Sequence, residues 1–254
     1  MSGTDRYAYA SKMRGSDPVT KIFVSLGVMI LCIALDDVAV SLVTIFATSL
    51  CSIWLGGHSA SDIWRMFRIP MGFILLGVIT VAAGRHELSS QLLVGFQMGE
   101  HLYGISTQGA QQAIAISAKS LGVIGSVYFL VMNTPMTDIT MALSRLHVPA
   151  LFVELLELVY RFIFILADTA DRIRTAQSSR LGYIDMKTSY RSTADLVSRV
   201  FVSSFQRANH IFDALESRGY TGELRTVGYE YEIDTRITYA AIAVALLQVG
   251  AYLI

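Results

Sequence analysis

The sequence predicts an all-α, polytopic membrane bundle of about five spans, extended by long cytoplasmic helices. Three observations point to this class. Hydrophobic residues fill 53% of the 254 positions and charged residues only 16%, against about 25% charged in soluble domains, and the mean hydropathy is +0.51. Apolar runs long enough to cross a bilayer, about 17 residues or more, recur five times. Between the fourth and fifth runs lies a region, 133–235, whose apolar residues repeat at helical spacing.

The same arithmetic excludes other classes. Disorder needs low hydrophobicity and high net charge, and 20 basic residues balanced by 20 acidic ones give no pull toward nucleic-acid phosphates. Cys32 and Cys51 both sit inside apolar runs, so they form no disulfide framework and no C-x-x-C metal pair. The polar stretch Met1 to Lys21 precedes a late apolar run without a small-residue cleavage site, so no cleavable signal peptide is expected.

The five expected spans are 19–35, 38–55, 66–83, 112–132 and 236–254. Asp36-Asp37 separates the first two and predicts a tight hairpin of antiparallel helices. The segment 88–99 is too short to span and is expected to be re-entrant or interfacial. Arg6, Lys12, Arg14 and Lys21 precede the first span and Arg65 and Arg68 flank the third, whereas Asp36-Asp37 has no basic residue and 84–111 has only Arg85. Positive charge stays on the cytoplasmic side, which predicts a cytoplasmic N-terminus and a cytoplasmic 133–235. Three domains are expected: 1–132 with four spans, 133–235 as a cytoplasmic helical region, and 236–254 as the last span. Small residues such as Gly27, Gly72 and Gly77 are expected to let helices approach closely or, equally, to let a partner subunit slide against the bundle.

Val148 to Leu166 resembles a sixth span but contains Glu154, Glu157 and Arg161. Those three charges cost roughly 7 to 11 kcal/mol on the insertion scale, while thirteen Leu, Ile, Phe and Val residues return about 4 to 8. Insertion therefore loses, and a helix outside the bilayer core is expected, with Glu157 and Arg161 pairing four residues apart. A second helix is expected over Ser192 to Arg218, with a buried stripe that includes Val197, Phe201, Phe205 and Phe212.

Both helices end alike, in Ser179-Arg180-Leu181-Gly182 and Ser217-Arg218-Gly219. A glycine past the last turn is the usual left-handed stop, and arginine suits the negative end of the helix dipole, so each motif is also a plain helix end. Together they present two permanently charged, planar forks suited to docking on acceptors of a partner.

Thr134-Pro135, Thr137-Asp138, Arg145-Leu146-His147-Val148-Pro149, Leu158-Val159-Tyr160-Arg161-Phe162-Ile163 and Glu216-Ser217-Arg218-Gly219-Tyr220-Thr221-Gly222 are similar, in this order, to the transmembrane T component of energy-coupling factor (ECF) transporters of the CbiQ type, found in cobalt and nickel uptake. The resemblance implies a scaffold in the prokaryotic plasma membrane that grips two copies of a CbiO-like ATP-binding-cassette ATPase. It also implies a CbiM-like substrate-binding membrane subunit and at most a small CbiN-like accessory subunit. Arg180 and Arg218, framed by Ser179, Ser217, Gly182 and Gly219, would dock the ATPases. The family's usual tip is Ala-Arg-Gly, so Leu181 is an insertion, expected to move the first helix stop one residue later.

Without a G-x-x-x-x-G-K-[ST] loop the chain is not expected to bind and split ATP by itself, and with no paired nucleophile and base or clustered ligands it is expected to be no enzyme; the resemblance implies no cofactor on this chain, with ATP and Mg on its partners. His86-Glu87 and Glu100-His101 have no spacing that makes a metal site, and His58, His147 and His210 are expected in solvated or capping roles. Lys119 is an intramembrane charge and a functional candidate by default, unless it pairs with an acid near another span. A stand-alone secondary transporter or channel lined by Lys119 is the alternative function.

Overall fold

A computed structural model describes residues 3–86, 92–98, 101–220, 231 and 234–253. The architecture is helical: α1 (Gly3–Ala10), a 3-10 turn (Lys12–Gly15), α2 (Pro18–Leu35), α3 (Val38–Trp54), α4 (Ala60–Ala82), α5 (Thr107–Asn133), α6 (Met136–Arg145), α7 (Ala150–Ser179), α8 (Met186–Ser217) and α9 (Thr235–Leu253). It has two compact units, one running from Gly3 to Pro135 and including α9, the other beginning at Met136.

Each expected span falls on a helix of the first unit. Pro18–Leu35, Gly109–Asn133 and Thr235–Leu253 are long and apolar enough to cross a membrane, and Val38–Trp54 is apolar but shorter. The third expected span lies within α4, whose first half carries Asp62, Arg65 and Arg68. The expected hairpin is present: Asp36 caps α2 in a left-handed conformation (φ 43), and the Asp37 carboxylate accepts the Ala39 N–H at 2.8 Å to start α3.

The segment expected to be re-entrant or interfacial forms part of a sheet. Strands β1 (Ala83–His86), β2 (Leu92–Met98) and β3 (His101–Ser106) pair antiparallel in the order β1-β3-β2, with Gly84 opposite Gly104 and Gly95 opposite the same Gly104. Glycine disfavours a helix interior, and a paired strand satisfies backbone groups that an irregular interfacial loop would leave open. Residues 88–91 and 99 of that segment lie outside the described residues.

The bundle is oily outside, and its interior mixes apolar clusters around Phe129 and Phe67 with many polar side chains. Lys21, Ser25, Ser41, Thr44, Thr48, Ser52, Ser126 and Gln248 are buried, while Phe23, Ile30, Phe46, Phe73 and Leu76 are exposed. Such inversion fits a lipid surround, where tails are as apolar as leucine and interhelical hydrogen bonds hold helices together. Ser25 Oγ donates to Ser126 O at 2.7 Å, and Gln248 Nε2 donates to Thr44 Oγ1 at 2.7 Å and to Val28 O at 3.2 Å. Close approach between helices occurs at two glycines of α5 that sequence reading did not single out. A Cβ on Gly122 would stand 2.9 Å from Cys32 Sγ, and one on Gly125 2.9 Å from Thr48 Oγ1, whereas Gly27, Gly72 and Gly77 face open space. Cys32 is fully buried, one of the two cysteines serving as core filler.

Two polar side chains, Lys21 and His58, are built into this bundle. Lys21, read as a flanking cytoplasmic charge, is fully buried. Its ammonium donates to the carbonyls of Met13 and, at 3.2 Å, Asn133. Asn133 in turn accepts from Ser11 Oγ at 2.7 Å and donates to Phe129 O at 2.7 Å. His58, expected to be solvated, is buried beside the same knot, edge-on to Tyr7 at 6.2 Å. The 3-10 turn and the α3–α4 loop converge on the ends of α2 and α5, and their carbonyls need donors where water is excluded. Lys119 pairs with Asp36, Nζ to Oδ1 at 2.7 Å, so its acid comes from the hairpin between the first two spans.

Candidate functional site

The second unit holds both arginine motifs. Helix α7 follows Pro149, whose carbonyl accepts the Phe152 N–H at 2.9 Å, and continues unbroken for 30 residues, about 45 Å at 1.5 Å per residue. Asp185 caps α8 by accepting the Thr188 N–H at 2.7 Å. This contact holds the Asp185 carboxyl below its ordinary range. Helix α8 then runs for 32 residues, about 48 Å, and starts before the expected Ser192.

Arg180 and Arg218 occupy equivalent positions. Each is the C-cap of its helix. In the first, the Leu181 N–H bonds Ser178 O at 3.0 Å and the Gly182 N–H bonds Gln177 O at 2.8 Å; in the second, Gly219 bonds Glu216 O at 3.0 Å and Tyr220 bonds Leu215 O at 3.0 Å. Both are complete Schellman motifs, which satisfy the last carbonyls of a helix. The serines match as well: Ser179 Oγ donates to Thr175 O at 3.0 Å and Ser217 Oγ to Asp213 O at 2.7 Å. Helix α6 ends in the same way, with His147 in the left-handed position (φ 60) and the Val148 N–H on Leu143 O at 3.2 Å.

The expected one-residue delay at the first tip does not occur. Leu181 itself takes the left-handed conformation (φ 58), the place held by Gly219 (φ 74) in the second tip. Gly182 serves another purpose, because a Cβ there would stand 2.8 Å from both Gln177 O and Ser192 Oγ. Only a glycine lets the chain pass this close to α8, where Ser192 Oγ donates to Gly182 O at 2.8 Å.

Gln177, which sequence reading passed over, ties the first tip together. Its amide donates to Ser192 O at 3.0 Å and to Asp195 Oδ2 at 3.4 Å, and its Oε1 accepts the Tyr183 hydroxyl at 2.8 Å. Asp195 is held below its ordinary range chiefly by Arg199, whose Nε lies 2.8 Å away. No periodic signal marks Gln177, since a lone polar residue near a helix end is ordinary. At the opposite end the Tyr220 hydroxyl donates to Glu154 Oε2 at 2.9 Å, and that carboxylate raises the tyrosine's pKa. Glu154 is buried, while Glu157 and Arg161 stand 4.0 Å apart on α7.

Helices α7 and α8 are thus antiparallel, closed at one end by the 180–185 turn and at the other by Tyr220 and Glu154. Their C-termini point in opposite directions, and Arg180 and Arg218 are held apart by roughly the length of α8. The expected buried stripe on α8 is only half covered: Val197, Phe201, Phe205 and Phe212 are exposed, and an open cleft lined by Phe162, Leu166, Phe201 and Phe205 runs between the two helices. A single antiparallel neighbour covers one flank of so long an amphipathic rod. Among the described residues no group of three or more His, Cys, Asp or Glu side chains could hold a metal ion; Glu87, Glu100, Thr221 and Gly222 lie outside them.

A bundle of apolar helices with an oily exterior, in a chain that also carries a pair of arginine-capped helices, defines the class: a multi-pass membrane protein. Comparison with known proteins makes the family specific. The model of the family described as "CbiQ: Cobalt transport protein" matches residues 10–227. The chain is 34% identical to the cobalt transport protein CbiQ of Salmonella typhimurium over 223 residues, covering 88% of this chain and 99% of that one. It is 31% identical over 159 residues to a putative fused cobalt transport protein CbiMQ of Methanocorpusculum labreanum, covering 62% of this chain and 26% of the fusion. It is 30% identical over 140 residues to the energy-coupling factor transporter transmembrane protein EcfT of Staphylococcus aureus, covering 51% and 52%. The chain belongs to the CbiQ family, as the membrane component of an ECF-type transporter.

Proposed function

We propose that this chain is the coupling subunit of an ATP-driven importer for a transition-metal ion, cobalt or nickel. It carries motion from two ATPase subunits to a substrate-binding membrane subunit and has no catalytic residues of its own. The observation that carries this reading is the pair of equivalent Arg caps, Arg180 and Arg218, at opposite ends of α7–α8. A two-fold ATPase dimer offers the same socket twice, and two like forks on one rigid antiparallel pair can engage both.

ATP and Mg belong to the partner ATPases, and the metal ion is cargo held by another subunit. The α7–α8 unit and the N-terminus lie in the cytoplasm on this reading, in line with the charge bias around the spans. Ser179, Ser217, Gly182 and Gly219 shape the tips, and Glu157 and Arg161 brace α7. The name of the fused CbiMQ relative supports a CbiM-like partner in the membrane. Closure of the ATPases on ATP would shift the two tips, and packed helices pass such shifts on as rigid bodies. Lys119, which the secondary-transporter reading needs in a conduit, is already paired with Asp36.

The test replaces Arg180 and Arg218 by glutamate, singly and together, in the full chain co-expressed with the other subunits of its transporter. The double variant is expected to lose ATPase co-purification and ATP-driven uptake of radioactive cobalt. Full retention of both would favour the secondary transporter instead.

A further inference from the structure

Helix α9 lies between α2 and α3, with Gln248 bonded to both, and an open apolar groove follows each of its flanks. The groove against α2 holds about 970 Å³ and is lined by Phe23, Gly27, Leu31, Ile242 and Ala245. The groove against α3 holds about 1060 Å³. Ala47, Cys51 and the buried Val244 form its floor, and the exposed Leu42, Phe46 and Leu247 stand along its rims. From Leu42 to Cys51 it runs about 14 Å at 1.5 Å per residue.

The two grooves differ in charge at the end where α9 begins, the end marked by the contact of Ile237 with Met13 and Phe129. Toward α2 the mouth is acidic. Asp17 Oδ2 accepts the Thr20 N–H at 2.9 Å, Asp234 precedes Thr238 by one turn, and both threonines line that groove. The Asp234 carboxylate caps α9, its Oδ1 accepting the Arg236 N–H at 3.0 Å. Toward α3 the mouth is cationic and aromatic. Arg236, which is exposed, precedes Ala240 and Ala243 by one and two turns on the same face of α9, and helical side chains lean toward the N-terminal end. Its guanidinium therefore lies past the end of the slot. Trp54, 77% exposed, follows Leu50 by one turn and ends α3 on the same side.

An apolar slot whose mouth carries a guanidinium and an indole matches a phospholipid, because cations attract anionic headgroups and tryptophan settles at headgroup level. We propose that the α3–α9 groove is a binding site for one anionic phospholipid. Its acyl chain lies along Ala47 and Val244, and its phosphate pairs with Arg236 beside Trp54, in the leaflet on the Met13 side. The α2–α9 groove is as apolar, but Asp17 and Asp234 repel the same headgroup, so it takes lipid without preference for negative charge. A partner's transmembrane helix is the poorer occupant. It is about 10–12 Å across with its side chains, and Phe46 and Leu247 stand up on opposite rims of the slot. The site depends on the chain's being a membrane protein and not on the coupling reading.

Trp54 is its own probe, since the chain has only one other tryptophan, Trp64. The full chain carrying Trp64→Phe is reconstituted in phosphatidylcholine vesicles, and lipid brominated on its acyl chains quenches Trp54 on contact. Brominated phosphatidylglycerol is expected to reach half-maximal quenching at a mole fraction about fivefold below that of brominated phosphatidylcholine, the effect of one cation near a headgroup. Arg236→Gln and the slot-filling Ala243→Phe should each abolish that preference, while Arg236→Lys, which keeps the charge, should retain it. Ala245→Phe, in the acidic groove, should leave it unchanged. Equal quenching by the two lipids in the parent overturns the proposal, as does a preference that survives either Arg236→Gln or Ala243→Phe. A preference lost equally in Ala245→Phe reports a general anionic shell and refutes the site. If Ala243→Phe keeps the preference but loses co-purification of a membrane subunit, the groove belongs to a partner helix instead.

Discussion

The Tyr220 hydroxyl donates to Glu154 Oε2 at 2.9 Å, fastening the residue two past Arg218 to the first turns of the helix that ends at Arg180. Each end of the α7–α8 pair is therefore closed next to an arginine. Tyr220→Phe removes a hydrogen bond to a carboxylate and so unfastens this end of the pair. Hydrogen exchange near Glu216 and Leu215 should accelerate accordingly, while the first tip, closed by Gln177, keeps its protection.

The two tip glycines should respond to alanine for different reasons. Gly219→Ala places a Cβ in open space but at φ +74, and should cost about 1–2 kcal/mol from left-handed strain alone. Gly182→Ala drives a Cβ into Gln177 O and Ser192 Oγ, and should loosen the turn by about 1–3 kcal/mol of overpacking. Proteolytic nicking between 180 and 186 reports the difference: Gly182→Ala should be cut there faster than Gly219→Ala.

Low pH should open the first tip before the second. Asp185 and Asp195 both titrate below their ordinary value of 3.8, held by the Thr188 N–H and by the Arg199 guanidinium respectively. For a lowered carboxylate the added stability is present above the unfolded value and lost as pH falls through the folded one. Exchange at the start of α8 should therefore quicken as pH drops below about 3.8, and Asp185→Asn should shrink that pH dependence.

In the bundle, Lys21→Met leaves the carbonyls of Met13 and Asn133 without their buried donor. Met13 O keeps the Ser16 N–H at 3.1 Å, so the Asn133 carbonyl is the group left short of a donor, and a loss of about 1–3 kcal/mol and poor recovery in detergent are expected. Gly125→Leu should be comparably harmful because Thr48 Oγ1 already lies 2.9 Å from its Cβ position, whereas Gly72→Leu, in open space, should be tolerated in thermal unfolding measurements.

Sequence reading located the spans, the Asp36-Asp37 hairpin, the two long helices and both arginine ends, because hydropathy and helical period are local properties. It misplaced what depends on three dimensions. Lys21 reads as a flanking charge until the 3-10 turn and the end of α5 fold over it. Gly122 and Gly125 look like any other glycines until α3 packs against them. The α8 stripe predicts burial, but Phe201 and Phe205 are exposed and line an open cleft with Phe162 and Leu166. At the first tip, spacing suggested that glycine stops the helix; the backbone uses Leu181 instead because Gly182 is needed for the crossing beside Ser192. Residues 92–98 pair as a strand, a choice made by partners in β3 rather than by their own hydropathy.

The most direct measurement is site-specific photocrosslinking in the intact membrane complex, with a photoreactive residue in place of Ser179 and, separately, of Ser217. The coupling account predicts that each position labels an ATPase subunit, with yield that changes on addition of ATP. Crosslinks confined to lipid or to this chain itself, at both positions and in the presence of the ATPases, would contradict it.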